Sequence, residues 1–262
     1  MFSLEKAMQE MQTIARKVGA MQLENLGRLD LEMDRKTTSI DLVTEIDRRS
    51  DDMIVGYLRQ EYPDHAILAE ESGASGQDSE YRWVIDPVDG TTNYAQGLPI
   101  FAVSIALEHR GEKVLGIVYE PVTNEMFSAI KGQGSYRNGK RLQVGSKSEL
   151  IECVLATGFP YDIATHPVNN INYFTSLAVK TRAIRRMGSA AYDLACVASG
   201  GFDGFWEMSL SPWDVAASIL IVTEAGGVVL PFRDDRKISI VAANPVISQK
   251  ILAALREVDR LA

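Results

Sequence analysis

The stretch Trp83-Val84-Ile85-Asp86-Pro87-Val88-Asp89-Gly90-Thr91-Thr92-Asn93 carries more information than any other in the chain. Its apolar start reads as a buried strand that delivers Asp86 to its carboxyl end. Pro87 and Gly90 then read as a turn that brings Asp89 back toward Asp86. Two converging carboxylates repel unless something positive lies between them. The neighbouring Arg and Lys supply no obvious partner, so a divalent cation is the natural one. Thr91 and Thr92 open a segment whose backbone N–H groups suit a phosphate. Taken alone, Asp-Pro-Val-Asp serves equally well as a β-turn, since Asp, Pro and Gly are all turn formers.

Other acids shift that balance. Glu70-Glu71 follows the apolar strand Ala66 to Ala69, again placing acid at a strand end. Asp214 follows Pro212-Trp213 at a helix start, where the macrodipole alone would account for it. Asp41 and Asp47 flank another helix start, where capping would account for either. Each explanation is adequate singly, but acids at strand ends and helix starts throughout the chain suggest a shared pocket. With two Cys and three scattered His, a nitrogen and sulfur zinc site is disfavoured. An oxygen-lined site for magnesium, with manganese as substitute, fits the inventory.

The remaining composition narrows the function class. The 262 residues are 46% apolar, enough for a large core, and carry 27 basic against 35 acidic residues, a net charge of −8. No basic run suited to a nucleic-acid backbone appears. No signal peptide or membrane span is visible, so a soluble cytoplasmic protein without a membrane partner is expected. Cys153 and Cys196 sit in apolar stretches and read as buried thiols.

Periodicity places helices at about residues 3–28, 44–58, 168–179, 189–199, 215–225 and 246–258, with Thr44 capping the second. Short apolar runs from Ala66 to Ile130 read as strands, and Asn138-Gly139 as a hairpin turn. After about residue 145 strands and helices alternate. Two subdomains are expected, 1–145 with most of the metal ligands and 146–262 with Asp214 and the substrate-recognition residues.

Ala69-Glu70-Glu71-Ser72, Asp86 through Asn93, Gly188-Ser189-Ala190-Ala191 and Trp213-Asp214-Val215-Ala216-Ala217 together resemble the ordered signature of the inositol monophosphatase family. The likeness extends to Asp41-Leu42-Val43-Thr44, Gly134-Ser135, Thr223 to Gly227 and Ala242-Ala243-Asn244, nearly the whole chain. It implies a mixed α/β fold layered α-β-α-β-α, with a mostly antiparallel first sheet and a smaller C-terminal α/β half, and usually a homodimer. By the family pattern, Glu70, Asp86 and the Val88 carbonyl would hold a first magnesium, and Asp86, Asp89 and Asp214 a second. A third, weaker ion would lean on Glu70. Phosphate would rest on the metals and on Gly90 and Thr91, while Asp47 and Thr91 resemble the pair that orients the attacking water.

In Gly188-Ser189-Ala190-Ala191 the first-turn N–H groups and the Ser189 hydroxyl suit sugar-like hydroxyls, or equally a plain helix cap, and Glu207 matches a family position that contacts inositol hydroxyls. Arg185 and Arg186 stand beside them. The implied reaction is in-line hydrolysis of a small phosphate monoester, inositol 1-phosphate foremost, with lithium inhibition expected. Related scaffolds act on fructose 1,6-bisphosphate, histidinol phosphate or 3′-phosphoadenosine 5′-phosphate, and some relatives have a regulatory role beside catalysis. Three departures are conservative: Ala69 where Gly is common, Val88 for a bulkier aliphatic, and Ser189 where Thr is also common. Residues 157–180 carry no recognisable motif.

Overall fold

The computed structural model describes residues 2–28, 30–36 and 42–261; Asp41 lies outside the described residues. In chain order the elements are α1 (Leu4–Asn25), β1 (Met33–Arg35), β2 (Leu42–Thr44), α2 (Glu45–Glu61), β3 (Ala66–Ala69), β4 (Gly73–Ser75), β5 (Tyr81–Asp89), α3 (Thr91–Ala95), β6 (Ala102–His109), β7 (Glu112–Glu120), β8 (Glu125–Ile130), β9 (Gly134–Arg137) and β10 (Lys140–Arg141). The second half contributes β11 (Val154–Thr157), α4 (Ile171–Ala178), β12 (Ala183–Arg185), α5 (Ala190–Ala198), β13 (Gly204–Leu210), α6 (Pro212–Glu224), β14 (Val228–Pro231), β15 (Ile238–Ala243) and α7 (Pro245–Leu261). Strands β3 to β10 form an eight-stranded sheet in the order β10-β9-β8-β7-β6-β5-β3-β4. It is antiparallel except where β3 pairs with β5. The second sheet has five strands in the order β12-β11-β13-β15-β14.

Strand alternation builds the layers. On β5 and β6, Trp83, Ile85, Val103, Ile105 and Leu107 pack with α1 and α2. Val84, Ala102 and Ala106 turn the other way and pack with α5 and α6. The second sheet divides likewise: Ala156, Phe205, Ile240 and Ala242 join that same middle layer, whereas Leu155, Trp206, Val241 and Ala243 pack with α4 and α7. The result is the expected α-β-α-β-α sandwich, with a first sheet that is mostly antiparallel.

Local chemistry fixes several boundaries. The Thr44 side chain accepts from Ile46 and Asp47 N–H and caps α2 as expected. Asn138 and Gly139 both have positive φ, as the β9–β10 hairpin requires. Helix α6 starts three residues before the expected 215 because Pro212 suits its first position. Conversely, α4 starts three residues late: Asn170 has a φ of 74° and is committed to a buried polar network instead. Both cysteines are unpaired, and Cys196 is only partly buried.

Helix α6 lies unusually close to the first sheet. A Cβ on Gly116 would stand 2.6 Å from the Ala217 carbonyl oxygen, a backbone atom that cannot swing aside. Gly116→Ala should therefore push α6 outward and cost about 1–3 kcal/mol through overpacking. A denaturant titration followed by circular dichroism measures this; an unchanged midpoint would contradict the close packing.

Candidate active site

Both sheets break their regular pairing where they meet one cavity of about 820 Å³. On β5 the irregularity falls between Asp86 and Asp89, so a bulge inside a continuing strand replaces the turn expected at Pro87. The bulge re-aims both carboxylates without ending the strand. Its buried Pro87 carbonyl accepts from Gln22 Nε2 at 2.8 Å, and Asp86 Oδ1 accepts the Val88 N–H at 3.0 Å. Gly90, with φ of 109°, then turns the chain into α3. A side chain there would press against the carbonyl oxygens of Ile100 and Gly188 at 3.1 and 3.2 Å.

Two helices begin at this cavity and serve its acids differently. The start of α5 is spent on Asp89: Ser189 Oγ donates to Oδ2 at 2.6 Å, Ala191 N–H to Oδ2 at 2.7 Å, and Ala190 N–H to Oδ1 at 3.2 Å. These were the groups expected to meet substrate hydroxyls; in this structure they hold a carboxylate. Helix α6 carries its own acid, Asp214, whose Oδ2 accepts the Ser211 N–H at 2.8 Å in a capping box. Asn93 joins the two halves by donating to Ile100 and Met187 carbonyls, each at 2.8 Å.

Glu70, Asp86, Val88, Asp89, Gly90, Thr91, Gly188, Ser189, Ala190, Glu207 and Asp214 all line this cavity. Asp47 stands behind Thr91, whose hydroxyl donates to Asp47 Oδ1 at 2.7 Å. The other Asp47 oxygen accepts the Thr44 N–H at 2.9 Å. Burial raises the Asp47 pKa against these bonds. Burial, followed by repulsion from Glu70, Asp89 and Asp214, pushes Asp86 well up. For Asp214 burial dominates again and lifts the pKa to about 8. A protein cation distant in the chain reaches the neighbouring glutamates: Lys36 Nζ lies 2.8 Å from Glu70 Oε1 and also meets Glu71. Burial works against its charge, yet the two glutamates hold the Lys36 pKa above its usual value.

The opposite wall comes largely from the stretch in which no motif was legible. Thr157, Gly158, Phe159, Pro160, Tyr161, Asp162 and His166 border the cavity beside Glu207. Asn170 braces this loop by donating from Nδ2 to Thr157 Oγ1 at 3.0 Å and accepting Trp206 Nε1 at 2.7 Å. Burial raises Glu207 to about 8, with Asp214 adding to the push and Arg186 opposing it. Arg186 lines the cavity, whereas an Arg185 guanidinium nitrogen turns to the Ile184 carbonyl. Lys36, Gly158, Asp193 and Arg236 also border it, and none carried a sequence signal, because their neighbours are distant in the chain.

Among the described residues, no three His, Cys, Asp or Glu side chains form a group able to hold a metal ion as they stand. Their partners explain this: Asp89 is turned to α5, Glu70 to Lys36, and Asp214 to its own helix start. The donor chemistry nonetheless suits a hard divalent cation. The acids are all oxygen donors, and Glu70, Asp89 and Asp214 repel Asp86 where no cation separates them.

Comparison with known proteins agrees with this geometry. The profile of the inositol monophosphatase family matches residues 4–260. The chain is 44% identical over 244 residues to the Nus factor SuhB of Pasteurella multocida, covering 91% of each. It is 40% identical over 222 residues to the inositol-1-monophosphatase of Mesorhizobium japonicum, covering 83% of this chain and 84% of that one. Among solved structures, the extragenic suppressor protein suhB of Bartonella henselae superposes with a TM-score of 0.91 at 39% identity, covering 96% of this chain and 98% of that one. The Thermotoga maritima IMPase gives 0.87 at 36%, covering 97% and 98%. With its fold, its acid-lined cavity and its sequence in agreement, the chain belongs to the inositol monophosphatase family.

Proposed function

We propose that the protein is a magnesium-dependent phosphatase acting on a small phosphate monoester, with inositol 1-phosphate the foremost substrate. The observation that carries this reading is the convergence of Glu70, Asp86, Asp89 and Asp214 on one cavity that Glu207 also lines. Glu70, Asp86 and the Val88 carbonyl would hold one ion. Asp86, Asp89 and Asp214 would hold another, with manganese a substitute and a third ion near Glu70. When bound, the ions supply Lewis acidity, which offsets phosphate charge and favours ionisation of water.

The chain's own groups then have distinct tasks. Thr91 donates its only hydroxyl proton to Asp47, so its oxygen lone pairs remain to accept from a water in the cavity. Asp47 is thus the group behind Thr91 that takes up proton density, and its raised pKa suits that task. Backbone at Gly90 and Thr91 borders the place for phosphate. Asp89 is held by the start of α5, and Asp214 by its position in α6. Glu207 would accept hydroxyls of the departing alcohol. The chain would act by direct hydrolysis, without a phosphoenzyme.

The relatives named Nus factor favour a second reading, a partner-protein role beside catalysis. Co-purification of a stoichiometric protein partner by wild type and Asp89→Asn alike would support it; recovery of no such partner would remove it.

Phosphate release from inositol 1-phosphate should require magnesium and stop in chelator. Asp89→Asn and Asp214→Asn should each lose at least about a hundredfold in kcat/KM, near ~3 kcal/mol of transition-state stabilisation. Full activity in either variant would refute the assignment. A tenfold preference for histidinol phosphate, fructose 1,6-bisphosphate or 3′-phosphoadenosine 5′-phosphate would move the substrate, not the chemistry.

Gly158 supplies a sharper probe of the alcohol wall. A Cβ there would stand 2.2 Å from Glu207 Oε1, and the flexible end of Glu207 is what must yield. Gly158→Ala should lower kcat/KM for inositol 1-phosphate about tenfold relative to phenyl phosphate, with little change in melting temperature. An unaltered ratio would dissociate Glu207 from the alcohol.

A further inference from the structure

A second acid stands near Glu207 without a structural employment. Asp193 lies in the first turns of α5, where its N–H donates to the Ser189 carbonyl at 2.9 Å. Its side chain borders the cavity and is 1% exposed. Yet Asp193 Oδ1 is buried with no hydrogen-bond partner. Two other buried acids are well supplied: Asp203 Oδ2 accepts Val154 N–H and Lys147 Nζ, each at 2.8 Å, and Glu120 accepts Val122 N–H at 3.0 Å and Thr123 N–H at 2.7 Å, while Asp51, which also keeps an unpaired Oδ1, does not border the cavity. Even on the same helix, the three donors at the start of α5 go to Asp89.

What surrounds Asp193 makes its position costlier. Burial raises its pKa most strongly, Glu207 and Asp89 add repulsion, and Arg186 opposes them. A buried carboxyl oxygen left unpaired costs its full desolvation, so an apolar residue of similar size would suit the helix better. Retention of an acid here makes sense when a donor arrives with a ligand. The acid forms one wall with Glu207, from β13, and with the space left by Gly158.

We propose that Asp193 is a specificity-determining residue that, together with Glu207, accepts hydroxyl groups of the substrate's alcohol, so that the cavity selects a polyol leaving group. The inference rests on the phosphatase reading above and adds to it a second carboxyl that reads the alcohol. Hydroxyls satisfy a buried carboxyl without bringing a further charge. An ammonium group is the less suitable donor, because Arg186 already places a cation at this wall. Two acceptors on different elements discriminate more strongly than one, since an alcohol lacking either hydroxyl leaves an acid unpaired.

The test compares wild type, Asp193→Asn and Asp193→Leu on inositol 1-phosphate and on phenyl phosphate, with magnesium, alongside melting temperatures. In the Leu variant the ratio of kcat/KM for the polyol ester over the aryl ester should fall at least about tenfold, chiefly through KM. Asn keeps a carbonyl acceptor and should stay within about threefold of the wild-type ratio. Melting temperature should rise in the Leu variant, because an unpaired buried acid has been removed.

An unchanged ratio in the Leu variant overturns the inference. So does an equal loss on both esters with a lowered melting temperature, the mark of a structural role. Wild-type preference for an amine-bearing ester such as histidinol phosphate, lost in Asn and Leu alike, would assign Asp193 to charge recognition and overturn the hydroxyl reading. Magnesium-dependent turnover of phenyl phosphate by wild type preserves the phosphatase reading whichever way Asp193 behaves. Wild-type failure on both esters overturns that reading, and the inference with it.

Discussion

Mutual repulsion among carboxylates in a poorly solvated cavity is the constraint to which the rest of the structure answers. Glu70, Asp86, Asp89 and Asp214 share this cavity, and burial raises the pKa of the last three. The chain offsets the cost by a different device at each acid. Asp89 receives three donors from the start of α5, Asp214 sits inside the capping box of α6, and Glu70 meets Lys36. Among the described residues, Asp86 has the Val88 N–H as donor and, beside it, the Glu70 carboxyl. All three of the other acids repel it.

That solution explains the layer order. Both α5 and α6 must begin at the cavity, which requires them to lie between the two sheets rather than outside either. Small residues make this possible: Ala102, Ala106, Ala216 and Ala217 fill the middle layer, and Gly116 admits the α6 backbone itself. The strands contribute by departing from regularity. The bulge in β5 between Asp86 and Asp89 has a counterpart in β13 between Glu207 and Leu210, where Ser209 adopts a φ of 64°. Each sheet thus bends at the point where it presents an acid to the shared space.

The acids were legible in the sequence because each sits at an element boundary that local rules reveal: an apolar run before Glu70 and Asp86, a Pro before Asp214. Their partners were not legible. Lys36 reaches Glu70 across 34 positions and Gln22 reaches Pro87 across 65, with no period or motif linking either pair. Local rules also misjudged detail where tertiary bonding prevailed. Pro87 and Gly90 look like a turn, but pairing with β6 carries the strand through Asp89. Asn170 falls within a helical apolar period, yet Trp206 and Thr157 hold it in a left-handed conformation outside the helix.

The two sides of the cavity differ in how completely they are bonded, and this separates chemistry from selectivity. On the acid side Glu70, Asp86, Asp89 and Asp214 each have at least one oxygen placed by a donor from the chain. The loop behind the other side is equally firm: Thr157, Asn170 and Trp206 form a buried network, and Arg236 binds Asp162 at 2.7 and 3.0 Å and Ser209 at 2.8 Å. Within that firm frame, Asp193 keeps an unpaired oxygen. A rigid wall with an unfilled acceptor discriminates better than a mobile one, because the wall cannot relax to satisfy itself when the wrong alcohol enters. Selectivity in this chain therefore depends less on which groups are present than on which the fold declines to pair.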